Sequence, residues 1–270
     1  MIKTFIQQSG KVKDLRETCN LCGKMYSGEY YNRLYENDEK NVRAKSYENN
    51  KLIALFRPEY IEVIESESGE LTWKAVEQLP VHKAEFNFNS SLGLFQSCNR
   101  GEFGGILITP KNNIPGNFSN LFEFNNKVYA IDSLNHMSIG HTCIYEFKKK
   151  LNAKTLFKTE FKESISLSSL KIEENRVLIL VSGFIRGDRG TFDGSSPCSY
   201  LFEISRDGFK KIAVFDFSFH YAYNMLLIDK ELIVGMDKVI AFANIETKEI
   251  RFITPLTIEA ENDIKKANDR

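Results

Sequence analysis

Asn99-Arg100-Gly101-Glu102-Phe103-Gly104-Gly105 places an arginine, a carboxylate and three glycines in one short string. Glycine at this density implies positive φ or close backbone approach. Arg100 and Glu102 therefore either pair with each other inside a bulged turn or present charge outward. The string is no phosphate cradle, because neither a helix nor a Lys-Ser/Thr pair follows it. His136 and His141 follow downstream with Asp132 nearby. A metal site there needs a third ligand and outer support, so they read as structural histidines in a glycine-containing loop. Cys19-Asn20-Leu21-Cys22 is half of a zinc knuckle without a second close pair. No metal and no other cofactor is expected.

The stretch from Gly183 to Ser199 is the longest irregular segment and holds Arg186, Asp188 and Arg189. Arg186-Gly187-Asp188 spells an integrin-type string, which in a cytoplasmic chain is chance. Asp188, Asp193 and Ser195 fail the spacing of a calcium loop. The length and polarity of the segment suit either a flap that contacts a partner or a plain surface loop. Acidic residues gather at Glu62, Glu65, Glu67 and Glu70, and again at Glu36, Asp38 and Glu39. Such a cluster is a solvated edge, or an acidic patch complementary to a basic partner. No Ser-His-Asp order with a nucleophile elbow and no framed pair of carboxylates is present. The chain reads as a non-enzymatic protein.

The elements that must hold these residues are legible as a repeat. Five short polar breaks precede apolar runs, centred at residues 50, 90, 126, 175 and 230. Examples are Asn125-Asn126-Lys127 before Val128-Tyr129-Ala130-Ile131 and Asp229-Lys230-Glu231 before Leu232-Ile233-Val234. A second hairpin follows each. Tyr60–Ile64 turns at Ser66-Glu67-Ser68-Gly69 and returns through Leu71–Val76, and Tyr200–Ile204 turns at Arg206-Asp207-Gly208. Spacings of about 40–50 residues with four short strands per unit are the signature of propeller blades. The first hairpin's strands are continuous apolar runs and the second's alternate, which fits inner strands packed on both faces and half-solvated outer strands. The expected fold is an all-β propeller of four-stranded antiparallel blades, five or six in number. Residues 1–44 form an N-terminal segment that closes or caps the ring, 45–256 the propeller, and 257–270 a charged C-terminal tail. The unit around residues 92–118 is the weakest, with a vague return near Asn117-Phe118.

In an up-and-down meander the loop between the second and third strands shares an end with the loop joining one blade to the next. The unusual stretches all fall there: Arg57-Pro58-Glu59, Ser97–Gly104, Asp132–His141, Gly183–Ser199 and Met236-Asp237-Lys238. Irregular loops on a rigid scaffold carry function. Arg100, Glu102, His136, His141, Arg186, Asp188 and Arg189 are therefore the candidate partner-binding residues. Glu62, Glu65, Glu67 and Glu70 are the alternative acidic edge.

Charge and composition narrow the partner. Lys+Arg and Asp+Glu balance at 36 each, so no global field draws nucleic acid or an anionic membrane. No apolar run approaches the roughly 18 residues of a membrane span. The first ten residues lack the apolar core of a secretory signal, and the five scattered cysteines are no disulfide framework. Reducing cytoplasm is the expected setting.

Residues 92–147, with Asn-Arg-Gly-Glu-Phe-Gly-Gly after an apolar strand, then Val128–Ile131 and Leu134–His141 leading into Ile144–Phe147, resemble a group of bacterial propeller-like proteins. The rest of the chain matches only by repeat pattern. Some of that group act as immunity proteins against polymorphic and contact-dependent inhibition toxins. The resemblance implies a cytoplasmic protein that binds a protein partner, a basic toxin nuclease, and covers its active site. The alternative is a propeller enzyme, or a carbohydrate or small-molecule binder, using the central pocket.

Overall fold

The computed structural model describes residues 12–14, 60–76, 85–136, 139–187, 195–219, 222–236 and 240–255. Among them the chain forms strands joined by tight turns, with one short 3-10 turn at Gly101–Phe103 and no α-helix. The strands assemble into antiparallel up-and-down sheets in chain order, the blades of a β-propeller. By contact the chain divides into two compact units, Pro80–Asp216 on one hand and Met1–Leu79 with Phe217–Arg270 on the other.

The Pro80–Asp216 unit holds three four-stranded sheets. The first contains β4 (Glu85–Ser90), β5 (Gly93–Asn99), β6 (Gly105–Ile108) and β7 (Asn113–Pro115). The second contains β8 (Phe118–Phe124), β9 (Lys127–His136), β10 (Ile139–Phe147) and β11 (Ala153–Lys158). The third contains β12 (Glu163–Ile172), β13 (Arg176–Ile185), β14 (Ser196–Ser205) and β15 (Gly208–Phe215). The middle strand β13 is apolar over most of its length because both of its faces are covered. Val177 through Ser182 on β13 are buried without a break, as expected for a strand between two packed neighbours. Phe95, Leu107, Phe118, Val128, Ala130 and Phe147 fill the space between the first and second sheets. Tyr129, Ile131, Ile144, Ile165, Ile179 and Phe202 fill that between the second and third.

The turns follow from residue type. Asn125 and Asn126 both take positive φ, 50° and 57°, the pairing that a two-residue hairpin requires and that asparagine tolerates. Gly183 on β13 is demanded by its neighbour, since a Cβ there would lie 2.0 Å from the carbonyl oxygen of Ser164. The return strand of the first of these sheets is the short β7, whereas Phe118 opens β8 of the next sheet.

The other unit pairs β2 (Tyr60–Glu65) with β3 (Leu71–Val76), and β16 (Asn224–Ile228), β17 (Glu231–Gly235), β18 (Ile240–Asn244) and β19 (Ile250–Pro255) in a second sheet. A further strand, β1 (Val12–Asp14), pairs with β19 as a fifth, edge strand. The Asn224 side chain fastens the two sheets. Its Oδ1 accepts the Val63 N–H at 3.0 Å and its Nδ2 donates to the Val63 carbonyl at 2.5 Å, imitating one rung of a strand ladder. Ile61, Val63, Leu71, Leu226, Ile233, Ile240 and Phe242 form the core beneath. The expected turn at residues 48–51, the Arg57-Pro58-Glu59 stretch, Glu36, Asp38, Glu39, Asp237-Lys238 and the 257–270 tail lie outside the described residues.

Candidate functional site

In the Pro80–Asp216 unit the expected loops do share an end. The β5–β6 connection, the β9–β10 connection and the β13–β14 connection lie there, together with the links from one sheet to the next. Backbone hydrogen bonds stitch them: Thr159 N–H to the Thr142 carbonyl at 3.0 Å, and Arg186 N–H to the Lys162 carbonyl at 2.5 Å.

The glycine-rich string forms a tight 3-10 turn. Gly101 and Gly104 hold positive φ, and Arg100 and Gly104 close the turn by an N–H to carbonyl bond of 2.9 Å. Glu102 does not pair with Arg100 inside this turn. It reaches the next sheet, where its Oε2 lies 2.9 Å from Nδ1 of His136. The turn is thus tied to the tip of β9, and it thrusts Phe103 into solvent, 83% exposed. Arg100 stands exposed beside it.

The histidines were expected in a loop, but both lie on strands. β9 and β10 run as one long hairpin, so that Asp132 and His136 belong to β9 and His141 to β10. Alternation puts Asp132, His136 and His141 on the same sheet face as Val128 and Ala130, the face packed against the β4–β7 sheet. His141 Nε2 lies 3.0 Å from Asp132 Oδ1, and the same oxygen accepts the Asn117 N–H at 2.6 Å. Asp132 is only 6% exposed. Gly116 makes room for it, since a Cβ there would stand 2.9 Å from the Asp132 carboxylate. The pair holds the imidazole of His141 in place at the rim. Two carboxylate–histidine contacts thus line one face of β9 and β10 just below the loop end. Among the described residues, no group of three or more His, Cys, Asp or Glu side chains gathers as metal ligands.

Sequence reasoning missed Phe161. It sits in the link between the second and third sheets, at the same end, and is 99% exposed. Glu160 and Lys162 flank it, and the half-buried Arg186 is bonded to the same link. A lone phenylalanine between two charged residues carries no sequence signal until strand direction assigns the link to an end. Asp188 and Arg189 lie outside the described residues, as do Cys19 and Cys22.

The acidic edge separates into two parts. Glu62 lies along β2 and pairs across the hairpin with Lys74 at 2.7 Å. Glu65, Glu67 and Glu70 are exposed around the β2–β3 turn, which is closed by Ser66 N–H to the Glu70 carbonyl and Gly69 N–H to the Ser66 carbonyl. A shallow, open depression of about 490 Å³ lies elsewhere, on the β4–β6 face between Glu85, Asn87, Gln96 and Cys98.

No protein-family model matches the chain, and no curated protein matches it. Some solved structures match it at low identity and low structural similarity. A mutant of the apocarotenoid oxygenase of Synechocystis is 8% identical over 71% of this chain and 55% of its own, with a TM-score of 0.31. A beta-fructofuranosidase of glycoside hydrolase family 32 from Bombyx mori is 10% identical over 68% of this chain and 50% of its own, with a TM-score of 0.26. The computationally designed Ika8 protein is 9% identical over 74% of this chain and 69% of its own, with a TM-score of 0.23. The chain spans about half the length of the two enzymes.

Proposed function

We propose that this chain is a non-enzymatic protein-binding module that docks a partner protein on the loop end of its Pro80–Asp216 unit. The observation that carries the reading is the pair of solvent-exposed phenylalanines, Phe103 and Phe161, at one end of adjacent sheets. Exposed aromatic side chains on ordered turns act as anchors that fill a partner's pockets, with charged residues forming the rim. Here the rim is Arg100, Glu102, His136, Lys162 and Arg186. The Glu102–His136 contact fixes the Phe103 turn before binding, which lowers the ordering cost of association.

The immunity role fits this reading. A module that covers a toxin's active site needs a firm surface with anchors and no chemistry of its own. The partner is then a toxin domain, a nuclease in the form the sequence resemblance implies. The test is a titration of the chain with the purified product of the gene immediately upstream of its own, followed by calorimetry and by growth of cells expressing both. The reading expects a stoichiometric complex and rescued growth. Rescue without a complex, or neither, contradicts it.

A further inference from the structure

The opposite end of the same sheets carries a different feature. The turn between β10 and β11 reads Lys148-Lys149-Lys150-Leu151-Asn152, and Lys111 from the β6–β7 turn joins it. Lys111 Nζ donates to Asn152 Oδ1 at 2.7 Å and to the Lys150 carbonyl at 3.4 Å, so the two turns form one surface. The buried Glu146 beneath takes Lys127 at 3.0 Å and Lys148 at 3.2 Å. Each of its oxygens thus faces one lysine. Among the described residues no carboxylate pairs with Lys111, Lys149, Lys150 or Lys154, all of them exposed. Four ammonium groups therefore stand uncompensated on one sheet end of a chain whose net charge is zero.

We infer that this lysine end is a second interaction surface and that it takes a short acidic segment of a protein partner. Two observations select that occupant. The patch is small and fenced. Glu123 stands at the same end of its own sheet, and the exposed Glu174 and Asp207 at the same end of the next. A nucleic acid lays down charge continuously, about one per 1.7 Å of duplex, and would run onto those carboxylates, whereas a run of a few Asp or Glu residues fits between them. The patch also consists of lysines without an exposed aromatic side chain among them. It offers point charges and neither a stacking surface for bases nor the planar fork that reads phosphate.

The surface is distinct from the loop end. β10 separates the two by nine residues, roughly 27 Å of extended chain. A failure here therefore leaves the loop-end reading untouched, and the reverse.

The probe is a fluorescein-labelled hexaglutamate peptide, followed by anisotropy against the full chain at low and at physiological salt. The expected result is saturable binding that weakens as salt is raised. Lys149→Glu with Lys150→Glu should weaken it roughly tenfold, since the change removes two attractive charges and adds two repulsive ones. The matched double change at the other end, Arg100→Glu with Lys158→Glu, should leave it intact. Thermal melts of both variants confirm that each is folded. The inference is overturned by absence of binding at low salt, or by equal loss in both double variants, which would report only net charge. It is also overturned if a short duplex oligonucleotide binds more tightly than the peptide, or if the chain self-associates through Lys149 and Lys150 at low salt.

Discussion

Glu146 shows how one side chain organises its surroundings. Burial by itself raises its pKa, but hydrogen bonds and charge from Lys127 and Lys148 outweigh it and hold the carboxyl below its ordinary range. The sign for stability follows. A folded-state pKa below the unfolded value means that the contribution is complete above the unfolded value, about 4.3, and is lost as pH falls through the folded one. Lys127→Met removes one partner, and the change should cost about 1–2 kcal/mol at neutral pH. Melts at pH 7 and pH 3 check this, with the difference between variant and wild type shrinking in acid. Cysteines make a second residue-level case. Cys143 and Cys198 are buried, and burial raises both thiols, Cys198 to about 11. Iodoacetamide under native conditions should leave both unmodified, and mass spectrometry of the digest reads this directly. Rapid labelling of Cys198 would mean that the β14 environment opens.

At the scale of elements, the strands were legible where the pattern was local. Tyr60–Glu65 and Leu71–Val76 form the hairpin that their alternation predicts, and Asn125-Asn126 makes the turn that its residue types demand. The strand ends were not legible, and that obscured the candidate site. Asp132 through His141 contains polar residues and a glycine, so it reads as loop, yet β9 and β10 continue through it because Asp132, Ser133 and Thr142 find partners inside the fold. Hydrogen bonds to a neighbouring sheet replace the apolar contacts that a sequence pattern detects. The Glu102–His136 contact was invisible for the same reason, since it joins two sheets and not one turn. Close approach of backbones is likewise hidden in a single letter. Gly183→Ala should destabilise by about 1–3 kcal/mol, because a methyl group cannot fit beside the Ser164 carbonyl without displacing β12. Urea unfolding measures it, and an unchanged midpoint would mean that the β12–β13 pair yields at little cost.

For the molecule as a whole, the repeat disclosed the architecture because each blade restates one pattern of turn and apolar run. It said little about function, since the candidate residues stand on the connections that differ between blades. Arg100, Glu102 and His136 share one end as the loop argument requires, while Phe161 emerged only from strand direction. The central claim is that this loop end, and not the acidic β2–β3 turn, receives the partner. The direct measurement is calorimetry of the partner against two variants of the chain, Phe103→Asp with Phe161→Asp, and Glu65→Lys with Glu67→Lys, with melting curves recorded in parallel. All four positions are exposed, so both variants should melt within about 0.5 kcal/mol of wild type. The account predicts that the phenylalanine variant weakens binding by roughly a hundredfold or more, the loss of two anchor side chains, while the glutamate variant binds as wild type does. Full binding by the phenylalanine variant, with loss confined to the glutamate variant, would contradict it.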